Sequence, residues 1–112
     1  MYKIKETEVK GEMVDGASGA SIKWLLHKGI GVPNYEMRIL EVEPQGQTPE
    51  HQHHWEHEVY VLSGTGKVRS GKGEGELMPG VAVFVPPYEK HVFLNDGEVV
   101  LKFICVIPRR IG

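Results

Sequence analysis

Glycine, with 14 residues, and proline, with 7, recur at short intervals along this chain, and the short runs between them are rich in Val, Ile, Phe and Tyr. Glycine and proline punctuate local structure, whereas β-branched and aromatic side chains suit a pleated, half-buried surface, so the pattern is that of many strands and few helices. Strands are expected near residues 3–9, 21–27, 35–43, 56–62, 67–70, 75–78, 82–86, 91–94 and 99–107, with loops at 14–20 and 29–34. The tract SGKGEG at 70–75 supplies glycine where a hairpin needs positive φ. Strands at a spacing of about 8–12 residues indicate a sandwich or barrel, in which closing the sheet removes exposed edges.

At 112 residues the chain is expected to form a single domain, 1–112, with room for one core. No apolar run approaches the ~20 residues that a membrane span needs. The stretch YKIKETEVK at 2–10 is alternating and charged, unlike a secretory signal, so a cytoplasmic protein is expected. Thirteen basic and fifteen acidic residues are scattered along the chain, which argues against nucleic-acid and membrane partners and for a small-molecule substrate or ligand. A single cysteine, Cys105, excludes an internal disulfide and a thiolate cluster, so a metal site would have to use nitrogen and oxygen ligands.

Four of the six histidines fall within HQHHWEH, residues 51–57. In an extended segment His51 and His53 point the same way, and further on His57 shares a face with Val59 and Val61 while Glu58 and Tyr60 take the other. In the last strand Phe103 and Cys105 are expected inside and Lys102 outside. Imidazole is the commonest metal-binding side chain, and H-x-H-x3-H with a distant fourth histidine, His91, is a spacing that a site built on strands can use. His54 breaks the inward alternation and His27 stands alone, so both are expected outside any such site.

The segment GQTPEHQHHWEHEVYVLSG (46–64) resembles the first cupin motif, and GVAVFVPPYEKHVFLN (80–95) resembles the second, with Gly80, Pro86, His91 and Asn95 in register. There are three departures. Gly46 stands one residue too close to His51, which should shorten a turn. Tyr88 occupies a glycine position, so the turn before His91 should differ. His57 sits where the family usually has a glutamate ligand, with Glu58 beside it. Spacing permits either as the third ligand, and the inward placing of Val59 and Val61 favours His57. The chain is similar to single-domain bacterial cupins of the cupin 2 conserved barrel type with H-x-H-P-W-E-H-E, over a core of about residues 34–108.

That resemblance implies an all-β cupin-type barrel, a double-stranded β-helix or jelly roll. It also implies one divalent metal ion per chain held by His51, His53, His57 and His91, with Mn or Fe favoured over Zn, Ni, Cu or Co, and a homodimer. Three further residues are pocket candidates: Phe103 and Cys105 from their inward register, and Arg38 as a group that could meet a substrate anion. Four neutral imidazoles leave a divalent ion its full charge, and the expected lining, Val59, Val61, Phe93, Phe103 and Cys105, offers no carboxylate for acid–base work. The activity expected is that of a metal-dependent oxidoreductase of dioxygenase type. A non-catalytic metal or ligand-binding module and a metal-dependent isomerase or hydro-lyase are the alternatives. SGTGK at 63–67 lacks the Ser or Thr and the helix of a phosphate loop, and His57–Glu58 lacks the second histidine of a zinc-protease helix.

Overall fold

The structure, a computed structural model, describes residues 1–110. It contains nine strands: β1 (Glu12–Met13), β2 (Ser18–Leu26), β3 (Tyr35–Gln47), β4 (His57–Ser63), β5 (Gly66–Ser70), β6 (Gly73–Leu77), β7 (Ala82–Val85), β8 (His91–Leu94) and β9 (Leu101–Pro108). They form one curled sheet in the order β6-β5-β8-β3-β9-β4-β7, with β2 on β3 and β1 on β2, and every named pairing is antiparallel. Alternation along β9 is complete: Leu101, Phe103, Cys105 and Ile107 are buried between less buried neighbours. β4 repeats this with His57, Val59 and Val61 inside and Glu58, Tyr60 and Leu62 outside. Val59, Val61, Leu101, Phe103, Cys105 and Ile107 make the core together with Ala20, Leu40, Val42, Leu77, Val85 and Phe93.

β3 turns the corner that curls the sheet. Over Tyr35 to Val42 it pairs with β9, and at Gln47 it has passed to β8. Between them lies Pro44-Gln45-Gly46, where Gln45 has φ 67° and a Cβ on Gly46 would stand 2.5 Å from the Ser18 carbonyl oxygen. Gly46 is therefore required by close backbone approach.

The expected strand at 3–9 is not formed. Residues Glu6–Glu8 make a 3-10 turn, and Glu6 forms ion pairs with Lys23 of β2 and Lys102 of β9. Its charges serve as tethers to the sheet, which the alternating pattern could not reveal. The two-residue β1 is too short for any periodicity to show. The loop expected at 14–20 ends earlier, because Ser18 and Ala20 already pair with Gln47 and Val42.

One buried carboxylate is structural. Glu36 on β3 is 0% exposed. It accepts from Arg110 Nε at 2.7 Å and Nη2 at 3.1 Å, and from the backbone N–H groups of Lys28 and Arg110. The Arg110 hydrogen bonds hold its carboxyl at about 2, below the ordinary 4.5 and against the opposing effect of burial. A depressed carboxylate stabilises the fold fully above its unfolded value, and this contribution fades as pH falls from 4.5 towards 2. Glu36→Gln should cost about 1.5–3 kcal/mol at neutral pH, and acid titration of the thermal midpoint should show a smaller loss over that window than in the unaltered protein.

Candidate metal centre

Two segments far apart in sequence are joined edge to edge. Gln45 N–H donates to Asn95 O at 2.8 Å, and Asn95 N–H donates to Gly46 O at 3.0 Å. Thr48 N–H donates to Phe93 O at 2.9 Å, and His51 and His91 exchange two backbone bonds at 3.1 and 2.9 Å. The Asn95 side chain donates to Val42 O and Val99 O and accepts from Gly97 N–H. This ladder carries His91 on β8 to His51, 40 positions earlier, while β4 brings His57 to the same side.

The four imidazoles line one cavity of about 100 Å³ together with Arg38, Phe103 and Cys105. Ring centres are 5.3 Å apart for His51–His53, 5.2 Å for His53–His57, 4.9 Å for His57–His91 and 6.3 Å for His53–His91. Among the described residues no group of three or more His, Cys, Asp or Glu side chains stands, as placed, where it could hold a metal ion. An imidazole nitrogen binds a first-row divalent ion at about 2.1 Å, which puts two rings sharing an ion about 4.6 Å apart at right angles and about 6.5 Å apart at opposite positions. The observed separations fall within that span.

Hydrogen bonding at Nδ1 leaves Nε2 free on two of the histidines. His91 Nδ1 lies 2.9 Å from the Glu89 carbonyl oxygen, which can only accept, so Nδ1 carries the proton and Nε2 keeps its lone pair. His57 Nδ1 faces Cys105 Sγ at 3.4 Å, and its buried Nε2 has no hydrogen-bond partner. A hydrogen bond to Nδ1 with Nε2 left bare is the usual arrangement of a metal-binding histidine. Burial, reinforced by nearby His91 and Arg38, pushes His57 down to about 3, and burial also lowers His53. Both are neutral at physiological pH, as ligands must be. Neutral imidazole nitrogens are the donor type that a first-row divalent ion takes, so the chemistry of these residues suits such an ion, while their placement does not form a closed site.

His57 is buried and Glu58 is exposed on the opposite face, while His54 is exposed and stands outside the cavity. Val59 and Val61, expected in the lining, lie in the core instead, and Val14, Ile22, Leu40, Thr48 and Pro49 complete the wall. β2 and the loop before it thus contribute residues that alternation within the histidine strands could not reveal. Trp55 stacks on His53 with ring centres 4.5 Å apart and planes at 6°, fixing that ring. Burial pushes the Cys105 thiol up, against the influence of Arg38, so it is a neutral acceptor for Arg38 Nη2 at 2.8 Å.

The turn before His91 was expected to differ because Tyr88 replaces a glycine. Instead Tyr88 adopts φ 67°, the left-handed conformation that glycine favours, and its N–H donates to the His53 carbonyl at 2.6 Å. That bond links the turn to the first histidine segment. The left-handed region costs a non-glycine residue about 1–2 kcal/mol, and glycine's added chain entropy offsets about 0.5–1 of that. Tyr88 is largely exposed and gives up little packing. Tyr88→Gly should therefore stabilise by roughly 0.5–1 kcal/mol, read as a rise in the thermal midpoint.

A model of the cupin domain family (Cupin_2) matches residues 38–107, and the chain belongs to that family. Its sheet is the curled cupin barrel. The solved polyketide cyclase RemF from Streptomyces resistomycificus is similar at TM-score 0.91 and 33% identity, over 98% of this chain and 80% of that one. The 1-methylthio-D-xylulose 5-phosphate methylsulfurylase of Rhodospirillum rubrum is 29% identical over 83 residues, 74% of this chain and 53% of that protein. This chain spans about half the length of that relative. An uncharacterized protein of Methanocaldococcus jannaschii is 30% identical over 89 residues, 78% of this chain and 71% of that one.

Proposed function

We propose that this chain is a metal-dependent cupin enzyme that activates a small carbonyl compound at an ion held by His51, His53, His57 and His91. The observation that carries the reading is the buried, unpartnered Nε2 of His57 beside His91, whose Nε2 is bared by the Glu89 contact. When bound, a divalent ion polarises a carbonyl oxygen and acidifies the neighbouring carbon. The apolar wall of Leu40, Phe93 and Phe103 excludes water around the reacting carbons. Among the described residues no Asp or Glu lines the cavity and the Thr48 hydroxyl is committed to Phe93, so the groups that can face a ligand with a proton or lone pair are the imidazoles, Cys105 and Arg38. Carbonyl chemistry is supported by two relatives: one is a cyclase of polyketides, the other is named for a xylulose phosphate, a ketose.

Protein purified without a histidine tag should contain about one divalent ion per chain by elemental analysis. His57→Ala and His91→Ala should lose most of it, and Glu58→Ala and His54→Ala should keep it. Incubated in deuterated water with acetylacetone, the loaded protein should exchange the acidic carbon-bound protons faster than the metal-free protein, without consuming oxygen. Oxygen uptake with Mn or Fe protein, absent with Zn, would instead favour the dioxygenase expected from the sequence. Metal binding with neither activity would favour a binding module.

Assembly as a homodimer is the second part of this proposal. Tyr60 and Leu62 of β4 and Phe84 of β7 are exposed on the outer face, next to Ile104 and Val106 of β9, and β7 ends the sheet path. A second copy covering this face would bury three large apolar side chains and shield an open edge. Light scattering at micromolar concentration should give twice 12.6 kDa, and Phe84→Glu should give the single-chain mass.

A further inference from the structure

Two arginines flank Trp24, and only one has a carboxylate. The Arg110 guanidinium lies 3.9 Å from the ring centre and is bonded to Glu36. The Arg38 guanidinium lies 5.2 Å from the same ring and forms no ion pair among the described residues. Its Nη2 donates to the Cys105 sulfur, and its Nε is buried with no partner at all. Arg38 also lines the histidine cavity, whose wall contains no Asp or Glu. A partly buried guanidinium whose one acceptor is a weak neutral thiol is short of its anion.

We propose that Arg38 supplies the ligand-anchoring charge of the cavity, and that the molecule taken there carries a carboxylate. The proposal rests on reading the cavity as the ligand site, and it adds the ligand's charge and the residue that meets it. The strand register places the anchor: Arg38 on β3 pairs with Cys105 of β9 on one side and with Trp24 of β2 on the other. Arg38 therefore sits in a fixed row, stacked on one indole and held by one sulfur, with Nε left to donate. The match is to one negative charge. The wall holds a single guanidinium and no lysine, and the Thr48 hydroxyl is already committed to both backbone groups of Phe93. His51 is exposed where it borders the cavity, which gives a ligand access from solvent. A cavity of about 100 Å³ admits a compact acid or the acidic end of a longer one.

The test uses pyruvate and its uncharged isostere pyruvamide, titrated into metal-loaded and metal-free full-length protein and followed by NMR at the Trp24 indole N–H. Pyruvate should bind about tenfold to a hundredfold more tightly than pyruvamide, the range expected of a charge-assisted hydrogen bond. Arg38→Gln should lose that preference with metal content unchanged, and Arg38→Lys should retain part of it. Equal binding of the two compounds, binding of neither, or a preference that survives Arg38→Gln would overturn the assignment. A preference seen only with metal and unaffected by Arg38→Gln belongs to the ion, and also overturns it. If the protein takes up no metal, the metal-free titration still decides the role of Arg38, so the two readings fail separately.

Discussion

The short antiparallel ladder between residues 45–51 and 91–95 is the constraint on which the rest depends. Its rungs are backbone bonds at Gln45, Gly46, Thr48 and His51, and the Thr48 hydroxyl reinforces it by bonding both the N–H and the carbonyl of Phe93. Gly46, Thr48, His91, Phe93 and Asn95 are buried, so the two segments cannot separate without leaving backbone groups of these residues unpaired. The ladder exists because β3 changes partner from β9 to β8, and that change is made at Pro44-Gln45-Gly46. The same bend closes the sheet and brings the distant histidine home.

Much of this was legible in the sequence because it is carried by period and spacing. Period-two alternation put His57, Val59, Val61, Phe103 and Cys105 on inward faces, and the histidine spacing marked out the residues that share the cavity. What escaped was set by backbone conformation and by long-range charge pairing. Tyr88 reads as a departure from glycine, yet the His53 carbonyl holds its backbone in the conformation glycine would take. Composition cannot show that a tertiary hydrogen bond outweighs a local preference. The charged 3–9 segment alternates like a strand, but Glu6 satisfies two lysines on the sheet better than a ladder could. Glu36 looks like an ordinary strand glutamate until Arg110, 74 residues later, folds over it.

Charge distribution separates the two ends of the β3 inner face. At one end Glu36 and Arg110 neutralise each other, backed by two further backbone donors. Two residues on, Arg38 has the same register and the same Trp24 neighbour, but an uncharged sulfur in place of a carboxylate. Arg38 is half-buried without a counter-charge, so its desolvation is less well compensated than that of Arg110.

The histidines sharpen that asymmetry. Imidazole ligands bring no negative charge to an ion, so a divalent cation among them would keep its full charge and add to that of Arg38 across a narrow cavity. A glutamate ligand at position 57 would cancel part of that charge. With histidine there, His57 Nδ1 instead meets Cys105, the same sulfur that takes Arg38 Nη2. One neutral thiol thus meets both the neutral His57 imidazole and the Arg38 guanidinium, and it leaves the guanidinium charge uncompensated. The outcome is a small cavity with a largely apolar wall, neutral imidazoles and one guanidinium that lacks a carboxylate partner among the described residues.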